Sequence, residues 1–152
     1  MKFKFVKTGM ILVTDTTKLA TVLAASTNDL ALITTSPLSY DWDMVNGDLT
    51  YATGGALTAQ ALDTLTLLGP FQDPATEEVY YKFLGTLWTN ESGGSITITG
   101  VALRISAGPT LEGVLVFDDE VALADGDSLT IDVLIGLTNG SPDSSLEILE
   151  TV

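Results

Sequence analysis

Apolar and polar positions alternate with period two wherever the pattern along the chain is regular, which predicts strands with one buried face. Met1-Lys2-Phe3-Lys4-Phe5-Val6-Lys7 sets Phe3 and Phe5 on one face and Lys2 and Lys4 on the other. From Glu78 to Thr89 an aromatic and β-branched run predicts a long strand, with Tyr80 and Lys82 on one face, Tyr81 and Phe83 on the other, and Gly85 as a bulge or a close approach. Asn90 to Gly94 reads as a turn, and Ser95 to Ile105 resumes the alternation with a change of phase, hence a second bulge, at Gly100. Gly108-Pro109 breaks that strand, and Gly113 to Phe117 is expected to be the next, ending in Asp118-Asp119-Glu120. After the Asp125-Gly126 turn, Ser128 to Leu137 places Leu129, Ile131 and Val133 on one face. Asn139 to Asp143 is a further turn, and Leu146 to Leu149 a short last strand or a tail.

Between residues 14 and 77 the pattern is weaker. Leu30 to Ile33, Leu38 to Trp42 and Asp48 to Tyr51 are short strand candidates set between Ser36-Pro37, Asn46-Gly47 and Gly54-Gly55. Two stretches carry helical spacing: Thr17 to Ala25, where Leu19, Val22 and Leu23 share a face, and Ala56 to Asp63. Many short strands between turns predict an all-β fold, a single antiparallel β-sandwich or jelly-roll-like domain with one or two short helical turns. Residues 1–13 are expected to form a basic N-terminal strand or arm, and residues 14–152 the sandwich.

Composition excludes much chemistry. The 152 residues include no His and no Cys, so thiolate nucleophiles, Ser-His-Asp triads and thiolate or imidazole zinc sites are ruled out. The net charge is -14, with 6 Lys and Arg against 20 Asp and Glu, the opposite of what a phosphate backbone attracts, so no nucleic-acid partner is expected. The cations are unevenly spread: Lys2, Lys4, Lys7 and Lys18 face only Asp15 within the first eighteen residues. Two readings follow, a basic arm that docks on an acidic neighbour, or an edge strand whose lysines discourage aggregation. The apolar run Met10 to Val13 is too short for a signal peptide, and no stretch approaches the roughly 18 apolar residues of a membrane span, so no membrane partner is expected.

The acids supply the remaining candidates for chemistry. Asp118-Asp119-Glu120 with Asp125-Gly126-Asp127 offers hard oxygen ligands of the kind calcium takes, but the spacing lacks the EF-hand pattern and fits two strand ends. Asp41 and Asp43 flank Trp42; on a strand they would share one face about 7 Å apart, a spacing open to glycoside hydrolysis, or else form a solvated face over a buried tryptophan. Neither pattern names a catalytic, metal or cofactor site, and the chain is expected not to be an enzyme. The aromatic group Tyr80, Tyr81 and Trp88, with Lys2, Lys4 and Lys7, is the expected partner-binding set, part core and part subunit contact.

Residues 78–138 carry a sequence of motifs: Trp88-Thr89-Asn90, the turn Glu91 to Ser95, the strand Ile96-Thr97-Ile98-Thr99-Gly100-Val101-Ala102, Gly113 to Phe117, and Ala124-Asp125-Gly126-Asp127-Ser128-Leu129-Thr130-Ile131. In this order they resemble a group of small tailed-bacteriophage virion proteins. Val101 and Ala102 stand where an aromatic pair is usual in that group, and residues 1–77 share none of its motifs. The resemblance implies a virion structural role, foremost a capsid decoration (cement) protein on the head surface. It further implies a homo-oligomer, often a trimer, whose partner is the major capsid protein. The alternatives are a tail- or neck-associated structural module and a host-glycan-binding sandwich that stacks sugar on Trp42, Tyr51 or Trp88.

Overall fold

The computed structural model describes residues 3–12, 16–54, 57–75, 78–106 and 109–138. In chain order the elements are β1 (Phe3–Phe5), α1 (Lys7–Leu12), α2 (Thr16–Ala24), β2 (Asn28–Ile33), β3 (Gln60–Ala61), β4 (Leu67–Asp73), β5 (Glu78–Thr89), β6 (Ile96–Ile105), β7 (Thr110–Leu123) and β8 (Ser128–Thr138). They form two antiparallel sheets, one of five strands in the order β1-β7-β6-β2-β3 and one of three in the order β4-β5-β8. The fold is an all-β sandwich.

The core lies where alternate residues of the two sheets meet. Phe83, Trp88, Ile131 and Val133 from the three-stranded sheet and Leu30, Leu32, Leu103 and Leu115 from the five-stranded sheet are all inaccessible to solvent. Leu19 and Leu23 of α2 join this core, as the spacing of Thr17 to Ala25 predicts. Both expected bulges are present: the β5–β8 register shifts between Phe83 and Thr86, where Gly85 takes a φ of +63°, and the β6–β7 register shifts between Ile98 and Gly100. A left-handed residue at the bulge is why glycine stands at position 85.

The five-stranded sheet is covered on its second face as well. A smaller apolar cluster there joins Val6, Ile33, Ala102, Leu111 and Val114 to Met44 and Leu49 of the long 34–51 segment. All six residues of β2 are therefore buried. Tyr40 donates its hydroxyl to the Phe5 carbonyl at 2.8 Å and the Lys7 amide donates to the Trp42 carbonyl at 3.0 Å, so the N-terminal segment and the cover hold each other. β1 itself pairs with β7 of its own chain, Phe3 opposite Leu115, as an edge strand of the sheet.

Five expectations are corrected. Leu38 to Trp42 and Asp48 to Tyr51 are not strands; beyond one isolated bridge between Ile33 and Tyr51 and a 3-10 turn at Asn46–Asp48, the segment is irregular, because it serves as a lid over a sheet already paired. Ala56 to Asp63 is not a helix: Gln60 and Ala61 pair with Leu30 and Asp29, leaving a 3-10 turn at Leu62–Thr64. The basic segment does not stay extended through residue 13, since Lys7–Leu12 is helical. Asp118-Asp119-Glu120 does not end its strand; β7 runs on to Leu123, and the acids bulge outward opposite Thr99 before the ladder resumes at Val121. Trp42 is exposed and not buried under a solvated face. The expected turn at Asn139 to Asp143 and the Leu146 to Leu149 strand lie outside the described residues.

Candidate functional site

The asymmetry between the sheets creates the main candidate. The inner side of the three-stranded sheet feeds the core, while its outer side has no cover among the described residues. Register fixes who shares that outer side: Leu68 stands opposite Lys82, Phe71 opposite Tyr80, Lys82 opposite Leu134, and Leu87 opposite Thr130. Leu68, Phe71, Leu84 and Leu87 are 39%, 39%, 47% and 52% exposed, and four large apolar residues on one small sheet form a patch, not scattered singles. Phe71 and Tyr80 lie ring against ring, with centroids 5.4 Å apart. At the centre Lys82 Nζ stands 3.6 Å from Asp132 Oδ2, and the other carboxylate oxygen accepts the Gly85 amide at 2.7 Å, which pins the bulge.

A second cluster lies on the covered face of the five-stranded sheet. Arg104 makes a two-pronged contact with Asp29, Nε to Oδ1 at 2.9 Å and Nη2 to Oδ2 at 3.0 Å, and its guanidinium stacks 4.4 Å over the Tyr51 ring. Burial raises the Tyr51 hydroxyl, against the lowering pull of Arg104. Burial works against the charge of Arg104, yet Asp29 and Tyr51 outweigh it and hold the guanidinium above its usual value. Glu112 is fully buried nearby with neither carboxylate oxygen hydrogen-bonded. Desolvation, helped by the charge of Asp29, pushes its carboxyl up to about 7.

A third feature is an open groove of about 420 Å³ lined by Pro37, Leu38, Asp41, Asp43, Met44 and Asp48 among others. Its carboxylates are occupied locally: Asp41 Oδ1 accepts the Asp43 amide and Asp48 Oδ2 accepts the Val45 amide, both at 2.8 Å. Asp41 and Asp43 thus belong to a turn and not to one face of a strand, which removes the basis for a paired-carboxylate reading. No group of three or more Asp, Glu, His or Cys among the described residues is placed to hold a metal ion. The acids of the β7 bulge serve a structural end, Glu120 accepting the Ser36 hydroxyl at 2.5 Å, and Asp125 and Asp127 cap the β7–β8 turn and its neighbour by accepting the amides of Gly93 and Ala124.

Of the residues expected to bind a partner, Tyr80 sits on the open face and Lys4 and Lys7 are exposed, Lys4 with its ammonium 5.0 Å from the centre of the Tyr40 ring. Lys2 lies outside the described residues. Tyr81 and Trp88 are corrections: both point into the sandwich, and Trp88 is fully buried with its indole N–H donated to the Thr58 carbonyl at 3.2 Å. That burial also removes Trp88 as a sugar platform, and Tyr51 is engaged by Arg104, so of the three named aromatics Trp42, 44% exposed, alone presents an open ring. Sequence reasoning missed Leu68, Phe71, Leu84 and Leu87. The alternation of β5 carries the signal for Leu84, and the change of phase at Gly85 carries that for Leu87, whereas Leu68 and Phe71 are masked by Gly69-Pro70, which interrupts β4 and shifts its register.

Comparison of the chain with family models, with curated proteins and with solved structures finds no match in any of the three.

Proposed function

We propose that this chain is a non-enzymatic structural protein of a tailed-phage virion, a capsid decoration protein that binds the assembled head and stabilises it. The observation that carries the reading is the apolar face of the three-stranded sheet, which no described residue covers. Such a face suits adhesion better than turnover, since it offers contact area and no reactive group. The motif resemblance of residues 78–138 supplies the virion context, with the major capsid protein and further copies of the chain as partners. Binding to the folded capsid lattice stabilises that lattice by mass action, since a ligand of one state favours that state. A net charge of -14 keeps decorated particles apart and the packaged nucleic acid unattractive.

Quantitative mass spectrometry of purified particles tests this by the copy number of the chain relative to the major capsid subunit. A ratio near one supports decoration. A ratio of a few per cent moves the protein to the tail or neck, and absence from the particle overturns the virion reading.

A further inference from the structure

We propose that the outer face of the three-stranded sheet is a self-complementary interface, and that its occupant is a second copy of this chain packed face to face about a two-fold axis. The inference rests on the structural reading above and deepens it, naming which of its two partners, a further copy or the capsid, takes this surface.

The two sheets differ in cover. The five-stranded sheet carries its own lid, Met44, Leu49 and Tyr40 over Val6, Ala102 and Val114. No described segment does the same for Leu68, Phe71, Leu84 and Leu87, which remain 39% to 52% exposed. Size is near what is needed: strands of 7, 12 and 11 residues at about 3.3 Å each and about 4.8 Å apart cover roughly 480 Å². A pair of such faces meets over about 950 Å², close to the lower bound of about 1,000 Å² for a specific contact.

Charge selects a second copy as the occupant. Two molecules of charge -14 repel each other over most of their surfaces. On the central part of this face the charged side chains among the described residues are Lys82 and Asp132, which cancel. The hairpin end is acidic, with Asp73, which accepts the Ala75 amide, in register with Glu78. Lys82 and Asp132 come from adjacent strands, so a two-fold axis between them sets Lys82 of each copy against Asp132 of the other, with Leu84 and Leu87 of β5 flanking the pair. That is the pairing an isologous interface requires, residue i on j and j on i. A capsid subunit would need no such internal complementarity.

Sedimentation equilibrium of the purified full chain tests the proposal without any particle. The wild type is expected to dimerise, and Leu87→Glu to weaken association by about tenfold or more, with melting curves confirming that the variant stays folded. Lys82→Glu and Asp132→Lys, each shown by its melting curve to be folded although the second loses the bond to the Gly85 amide, are expected to be monomeric, and an equimolar mixture of the two to recover the dimer, because the mixed pair restores both cross-contacts. A wild-type monomer up to about 1 mM, a dimer or trimer indifferent to Leu87→Glu, or a mixture no stronger than its components overturns it. If the chain dimerises through this face and yet is missing from particles, the virion reading falls and this one stands.

Discussion

Glu112 is a carboxyl that the fold holds against its chemistry. It has no exposure, neither oxygen accepts a hydrogen bond, and Asp29 adds a second negative charge beside it. Its pKa rises from 4.5 to about 7 on folding. Below pH 4.5 both folded and unfolded chains carry the proton and the ionisation of Glu112 contributes no difference in stability. Between pH 4.5 and 7 the unfolded chain ionises while the folded one does not, so stability falls as pH rises. Above 7 the loss levels off at about 3 kcal/mol, from about 1.4 kcal/mol per pKa unit. Glu112→Gln is therefore expected to raise the melting temperature at pH 8, by several degrees, and to leave it nearly unchanged at pH 4. Thermal melts of both proteins across that range check it; equal pH slopes would show that Glu112 does not control this window. Nothing in the sequence marks this residue, because Glu112 reads as one more acid before a strand and its burial depends on elements from both ends of the chain.

Among the elements, those with sustained alternation were legible: β1, β5, β6 and β8, and the helical spacing that became α2. One physical source of failure is length. Lys7–Leu12 is barely more than a turn and a half of helix, too short for a period to declare itself, and helices of that size are stabilised by packing and not by propensity. The packing is visible at Gly9, where an added Cβ would collide with the Glu112 carbonyl of β7. Helix propensity alone predicts that Gly9→Ala stabilises α1 by about 1 kcal/mol. The collision reverses the sign, because backbone and not a pliable side chain blocks the space, and overpacking of this kind costs about 1 to 3 kcal/mol. Gly9→Ala is thus expected to lower the denaturant midpoint; a higher midpoint would mean that α1 does not press on β7. The irregular 34–51 segment escaped prediction for a different reason, since its Leu, Met and Tyr residues are apolar to serve as a lid and mimic short strands.

For the whole molecule, charge and sheet asymmetry act together. The acids spread over a sandwich that has one face left apolar, so attraction is local and repulsion is global. Added salt weakens the repulsion first, since the Debye length shrinks from about 10 Å at 0.1 M to about 3 Å at 1 M, while apolar contact is unaffected or strengthened. Self-association is accordingly expected to tighten as sodium chloride rises from 0.05 M to 0.5 M, as light scattering would read directly. Weakening over that range would mean that ion pairs, and not the apolar face, carry the contact. The sequence made the total charge and the sandwich class plain, but the bare face became visible only when the 34–51 lid was seen to serve one sheet alone.

The strand order also dictates when structure can appear during synthesis. Hairpins β4–β5 and β6–β7 form from neighbouring stretches, but β1 waits for β7, with Phe3 opposite Leu115, and β5 waits for β8, with Tyr81 opposite Ile135. Neither sheet closes until the ribosome has passed residue 123 for one and residue 138 for the other. The nascent chain therefore carries half-made sheets until those strands are synthesised, and the long-range pairings of β1 with β7 and β5 with β8 are the last that strand order permits.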